Sequence, residues 1–236
     1  PEANLISLPE GLPLISAALV EPSAVALHGI RKLQIPANAT GLVIGFGSIG
    51  AFAAQWLRIL GCSQVVVAEV DAKKIALAQQ LGFEVINAAT KDTVETIGTL
   101  TEGRGANCIV EASGLPQTLI QAIKGAAVFG HVGLLGDLQR DVTLDASLLS
   151  FILRRELSLH GTWNSKIMPP GQNEWQMVLT HMAKDLKVQP LISHTPTLED
   201  GPQIFADLAD KRIWYHKVVF TIADEAKQEA QSLHLE

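Results

Sequence analysis

Cysteine is nearly absent: only Cys62 and Cys108 occur in 236 residues, and neither lies in a C-x-x-C pair. That excludes a disulfide framework and a cysteine-based zinc knuckle. The two read as buried thiols of a reduced compartment, so the cytoplasm is the expected location. Charge is scarce too, at 18% Asp, Glu, Lys and Arg, with a net of −6 and no run of Lys or Arg. Nucleic acid is therefore not an expected partner, because backbone-phosphate binding needs clustered cations. No apolar run reaches the roughly 18 residues of a membrane span, so a membrane is not expected either. The seven histidines do not cluster. No H-E-x-x-H, G-x-S-x-G or P-loop occurs, which removes common metalloprotease, hydrolase and NTPase signatures.

What is present is apolar material, 47% of the chain, and one stretch organises it. From Gly41 to Glu69 the sequence reads GLVIGFGSIGAFAAQWLRILGCSQVVVAE. An apolar run leads into a G-x-G-x-x-G, Gly45-Phe46-Gly47-Ser48-Ile49-Gly50, and an apolar helical stretch follows to Leu60. A second apolar run ends on Glu69. Strand, glycine turn, helix, strand and acid form the context in which this motif binds a dinucleotide. Gly45 permits the tight turn, Gly47 lets backbone approach a pyrophosphate, and Gly50 lets helix and strand pack closely. The helix start, at Ser48 and Ile49, offers amides and a positive dipole end to phosphates.

Upstream, residues 15–33 read as a helix broken near Glu21-Pro22, with the main part starting at Ser23, since proline removes a backbone donor. Downstream, Asp71 is placed to cap a helix over residues 72–78. Strands are predicted at 84–87, 107–112, 126–135 and 157–163, with helices at 91–100 and from Pro116. Six apolar strands alternating with helices specify a parallel sheet buried on both faces, doubly wound in the order 3-2-1-4-5-6: an α/β Rossmann fold. Beyond Trp163 the pattern changes. Pro169-Pro170-Gly171 is a break, a helix is expected over 174–187, a short strand at 190–194, a helix over 198–210 and a closing strand over 214–222. Residues 223–236 read as a frayed or vector-derived tail.

Glu69 closes the second strand, where its carboxylate is expected to accept both ribose hydroxyls of an adenosine and to repel a 2′-phosphate. NAD is thus favoured over NADP as cofactor. Lys74 is one helical turn away, either modulating that preference or lying on a solvated helix face. The small residues Ala112 and Ser113, the run Val132-Gly133-Leu134, and Thr162 complete the expected wall at the carboxyl edge of the sheet. No acid–base set for a reaction is visible from the residues alone.

Several stretches together resemble the cofactor half of the zinc-containing medium-chain alcohol and polyol dehydrogenases. Glu21-Pro22, Val25 and His28 match an E-P-x-x-V-x-x-H helix, TEGRGAN at 101–107 and EASG at 111–114 match the middle section, and Gly45–Gly50 match its glycine turn. RRELSLHGTWNS at 154–165 and PLISH at 190–194 are similar to the polyol-phosphate subgroup, the galactitol-1-phosphate 5-dehydrogenases. The resemblance implies an NAD-dependent oxidation of a sugar-alcohol phosphate, with zinc as second cofactor. It implies that residues 1–20 and 167–222 are remnants of a GroES-like catalytic domain around a dinucleotide-binding domain at 21–166. It also implies that the chain is a piece of a longer protein that holds the zinc ligands, and it puts Glu21 at the catalytic metal. A catalytic residue is not assigned. The open alternatives are a stand-alone NAD-binding regulatory module, or a related zinc enzyme for threonine or an unphosphorylated polyol. The partners expected are a small polyol or polyol phosphate and a second copy of the chain. The copy would pair along the edge of the sixth strand, unless the segment from Asn164 to Gly171 covers that edge.

Overall fold

The computed structural model describes residues 5–166 and 173–233. Contacts divide the chain into two compact units, Ser23–Ser165 and Pro1–Pro22 with Lys166–Glu236. The helices α1 (Leu14–Ala17) and α2 (Val20–Ile30) come first. The break predicted at Glu21-Pro22 falls earlier, and α2 starts at Val20. Pro22 then sits in the first helical turn, where an amide needs no intrahelical acceptor, so proline is tolerated.

The larger unit continues with β1 (Thr40–Ile44), α3 (Ser48–Ile59), β2 (Gln64–Glu69), α4 (Ala72–Gln80), β3 (Glu84–Asn87) and α5 (Thr93–Leu100). Then follow β4 (Ala106–Glu111), α6 (Pro116–Gly125), β5 (Ala126–Leu134), α7 (Ala146–Arg154) and β6 (Ser158–Gly161). The six strands are all parallel, in the order β3-β2-β1-β4-β5-β6. This is the doubly wound sheet the β–α alternation specifies. The helix starts follow their local chemistry. Asp71 accepts from the amides of Lys73 and Lys74, Asp92 caps α5, Asp145 caps α7, and Pro116 opens α6 where its missing donor costs nothing. Leu42, Ile44, Val66, Ala68, Ile109 and Val132 pack on one core with Ile97 of α5 and Ala122 of α6. The alternate residues Val43, Val67 and Val110 are fully buried as well. Both sheet faces are therefore covered, as a parallel sheet requires.

Two strands differ from the sequence reading. β5 is not uniformly buried. Its register against β4 shifts between Ala126 and His131, and Val128 and Phe129 stand in solvent. Phe129 takes φ +59°, with its amide bonded to the Arg155 carbonyl at 2.8 Å. The apolar run at 126–135 thus contains a bulge, which composition alone does not reveal. β6 is shorter than 157–163, and Trp163 lies outside it and exposed.

In the smaller unit, α8 (Glu174–Met182) ends five residues before Lys187, where the amides of Lys184, Asp185 and Leu186 converge on the His181 carbonyl. A 3-10 turn (Gln189–Leu191) leads into β7 (Ile192–His194), followed by α9 (Gly201–Ala209), β8 (Lys217–Val218) and α10 (Asp224–Leu233). β7 and β8 pair in parallel, and the closing strand expected over 214–222 shrinks to β8 and a bridge between Thr197 and Thr221. The tail is not frayed over residues 224–233. α10 forms there, and Glu229 accepts from the amides of Leu14 and Ile15 at 3.0 and 3.1 Å, satisfying α1 donors that Pro13 cannot cap. The break predicted at Pro169–Gly171 lies outside the described residues.

Candidate functional site

The registers set one row across the sheet. Ala68 pairs with Ile44, Ile44 with Glu111, Glu111 with Leu134, and Leu134 with Gly161. The amides of the next row close this edge: Gly45 donates to Ala68 O, Ala112 to Ile44 O and Leu135 to Glu111 O, each at 2.9 Å. Glu69, Gly45, Ala112 and Thr162 therefore all leave the sheet at one carboxyl edge. The chain crosses from one side of the sheet to the other between β1 and β4, the position where open α/β sheets bind ligands.

The three glycines of the turn have different reasons to be glycine. Gly45 has φ +94°, and a Cβ there would meet Ser113 Oγ at 2.3 Å. A Cβ on Gly50 would lie 2.0 Å from Gly45 O, so this glycine lets α3 close onto the turn. Gly47 has an extended backbone at φ −74°, ψ −174°, and a Cβ on it would meet nothing within 4 Å. Neither strain nor internal packing requires glycine there. What its missing side chain provides is open space at the start of α3, which has no side-chain cap. Open amides at a helix start are a general anion-binding arrangement. Ser48 and Ile49 form the first turn of α3.

Glu69 is buried, and its carboxylate is engaged by backbone. Oε2 accepts from the Phe46 amide at 2.7 Å, and Oε1 accepts from Val70 and Asp71 at 2.7 and 3.0 Å. A carboxylate offers about four acceptor positions, so room remains for about one ribose hydroxyl rather than the two expected. Lys74 gives its amide to Asp71 Oδ1, and among the described residues its ammonium has no ion pair. Of the other wall residues, Ser113 donates its hydroxyl to Ile44 O at 3.2 Å. Val132 is buried in the core, Gly133 faces Leu33 and Leu135, and Leu134 packs at the core's margin. The Thr162 hydroxyl is buried without a hydrogen-bond partner.

Sequence reasoning missed two participants. Phe46 supplies the amide that ties Glu69 to the turn. Glu111 is 1% exposed, and its side chain holds the turn after β4. The signal used for Glu69, an acid closing an apolar strand, was present at Glu111 as well. A recess of about 540 Å³ lined by Gln34, Asn107, Phe129 and His131 lies at the opposite, amino edge and includes none of the predicted residues.

Glu21, the residue matched to a metal position, is exposed in the first turn of α2. Among the described residues no three of His, Cys, Asp and Glu come together as a metal site. One carboxylate does not fit the three protein ligands of a catalytic zinc, so these residues do not form one by themselves.

A family model described as zinc-binding dehydrogenase matches residues 48–184, more than half of the chain. The chain belongs to this family. Among zinc-binding dehydrogenases, it is 32% identical over 209 residues to galactitol 1-phosphate 5-dehydrogenase of Escherichia coli K12, covering 87% of this chain and 60% of that protein. The crystal structure of the Escherichia coli galactitol-1-phosphate dehydrogenase superposes with a TM-score of 0.83 at 30% identity, over 92% of this chain and 63% of that one. L-threonine 3-dehydrogenase of Bacillus velezensis is 29% identical over 203 residues, 85% of this chain and 56% of that protein. The chain thus spans about 60% of the length of the relatives it matches. No described helix is long and apolar enough to cross a membrane.

Proposed function

We propose that this chain forms the cofactor-binding portion of an NAD-dependent dehydrogenase acting on a sugar-alcohol phosphate. The observation that carries the cofactor half is Gly47, a glycine that neither strain nor packing explains, facing open space at the uncapped start of α3. Held there, NAD would supply a hydride acceptor for a hydroxyl-bearing carbon, which becomes a carbonyl as its hydroxyl proton is released. The chain's own residues bind and orient. The amides at the start of α3 take the pyrophosphate, and the α3 dipole favours its charge. The free acceptor position of Glu69 takes a ribose hydroxyl and disfavours a 2′-phosphate at that place. Lys74 stands one turn further along α4. The loops after β4 and β5, with Ala112, Ser113 and the end of β5, wall the nicotinamide half, and Thr162 stands beside them at the end of β6.

The substrate class rests on the likeness to the galactitol 1-phosphate 5-dehydrogenase. The likeness to L-threonine 3-dehydrogenases favours a second reading, in which the same cofactor portion serves an amino-alcohol substrate. The family's zinc has no ligand set among the described residues, so no step is derived through it. In this reading residues 1–20 and 167–222 belong to a catalytic domain completed outside this chain, Glu21 lies near its metal, and the chain alone does not turn over an alcohol. Two copies pair along β6, an edge strand by its place in the sheet.

Calorimetry on the chain tests the cofactor assignment. NAD is expected to bind and NADP to bind at least about tenfold more weakly, the order of one charged hydrogen bond lost. Equal affinities overturn the role given to Glu69, and no binding of either overturns the cofactor reading.

A further inference from the structure

The buried carboxylate of Glu111 has no place in the cofactor contacts proposed above, yet more of the carboxyl edge converges on it than on any wall residue predicted from the sequence. Its Oε1 accepts from the amides of Ser113 and Gly114 at 2.8 and 3.0 Å and from the Thr118 hydroxyl at 2.7 Å. Oε2 lies 3.3 Å from the Gly114 amide. Its backbone carbonyl accepts from Leu135 and Gly136, both at 2.9 Å. One residue thereby fixes the loop after β4 and the first amides after β5.

The packing around it leaves no space for a side chain at Gly114 or Gly136. A Cβ on Gly136 would lie 2.2 Å from Gly114 N and 2.5 Å from Glu111 Oε2, and one on Gly114, at φ +68°, would lie 2.5 Å from Asp137 O. The two loops are back to back with the carboxylate between them. The loop after β4 also reaches β1. Ser113, held by Glu111 through its amide, gives its hydroxyl to Ile44 O and fills the place where Gly45 has no side chain. Burying an ionised carboxylate is costly unless it is well hydrogen-bonded, and here its partners are the two loops themselves.

We infer that Glu111 is a positioning residue for the nicotinamide half of the cofactor cleft, acting through Ser113 and the paired loops after β4 and β5. The inference rests on the cofactor reading above. The adenosine ribose depends instead on Glu69, which is held by Phe46, Val70 and Asp71 on the β2 side of the crossover between β1 and β4. Loosening Glu111 should therefore separate the two halves of the ligand.

The test is calorimetry of NAD and of AMP against the 236-residue chain and its Glu111→Gln and Thr118→Val variants. Gln keeps one acceptor oxygen but loses the charge that strengthens three hydrogen bonds. Val at 118 removes one donor and leaves the carboxylate in place. For Glu111→Gln, NAD affinity should fall about fivefold to tenfold with AMP affinity within about twofold of the wild type, in keeping with losing charge assistance at one site. Thr118→Val should shift NAD in the same direction by less, and it keeps the proposal testable if Glu111→Gln does not fold. An equal loss of both ligands in the folded variants marks a general structural role and overturns the proposal, as does unchanged NAD binding in both. A wild type that binds neither ligand overturns the cofactor reading and this proposal with it.

Discussion

Glu69 Oε2 lies 2.7 Å from the amide nitrogen of Phe46, so the acid at the end of β2 is bonded to the glycine turn itself. The motif and its acid, 19 residues beyond Gly50 in the sequence, are parts of one hydrogen-bonded unit. The remaining oxygen accepts from Val70 and Asp71. The side chain proposed to set cofactor selectivity therefore also holds the turn.

This makes Glu69→Gln a double perturbation. Any placement of the amide nitrogen faces it towards a backbone N–H, so the turn loses its bond from Phe46 or the strand end loses those from Val70 and Asp71. Thermal or urea unfolding should show a loss of about 1–3 kcal/mol, the cost of an unsatisfied buried group. The preference for NAD over NADP should narrow in the same protein. Unchanged stability would mean that the carboxylate's bonds to these backbone amides contribute nothing to the fold.

Gly47 and Gly50 should separate function from folding. Gly47→Ala meets no atom within 4 Å and needs no special φ, so its unfolding midpoint should stay within about 0.5 kcal/mol of wild type. Its NAD affinity should drop by about tenfold or more, because the methyl group occupies the phosphate approach. Gly50→Ala puts a Cβ 2.0 Å from Gly45 O and should destabilise the fold. Equal melts for the two variants would contradict the packing account.

Stability should depend on His131 and His160, whose rings stack 5.2 Å apart with Nδ1 of His131 2.9 Å from Nε2 of His160. Burial, and for His131 also its charge interaction with His160, lowers its affinity for a proton below the ordinary value of 6.5. His160 is lowered by burial and by Lys32. A folded pKa below the unfolded one means that the unfolded chain binds protons first. The stabilising contribution is therefore complete above about pH 6.5 and lost as pH falls from there through the lower folded values. Melting curves from pH 8 to pH 5 should show a decline starting near neutrality, and His160→Gln should flatten it. A decline of equal size in His160→Gln would reject this origin.

The proposed pairing along β6 predicts a dimer at micromolar concentration by light scattering. Leu159, partly exposed on the edge strand, is the position to perturb. Leu159→Lys places a charge on an edge that would otherwise accept another strand and should shift the chain towards monomer. A monomeric wild type would reject the pairing.

Most of the architecture was legible in the sequence, because its causes are local. Apolar runs of strand length alternating with helical periodicity leave a parallel sheet as the way to bury both faces. The caps at Asp71 and Pro116 needed only their neighbours, and the glycine turn was recognisable because its chemistry is confined to six residues. Where neighbours did not decide, the tertiary structure did. β5 reads as one apolar run, yet its register against β4 forces Val128 and Phe129 out into solvent. The charged tail reads as frayed, yet α10 forms and Glu229 receives the amides of Leu14 and Ile15, more than 200 residues away in sequence. Glu111 was visible as an acid at a strand end and as part of the EASG stretch, without a role. Its role comes from loops that follow two different strands meeting on one carboxylate, and a contact of that kind is specified by how the strands are ordered in space.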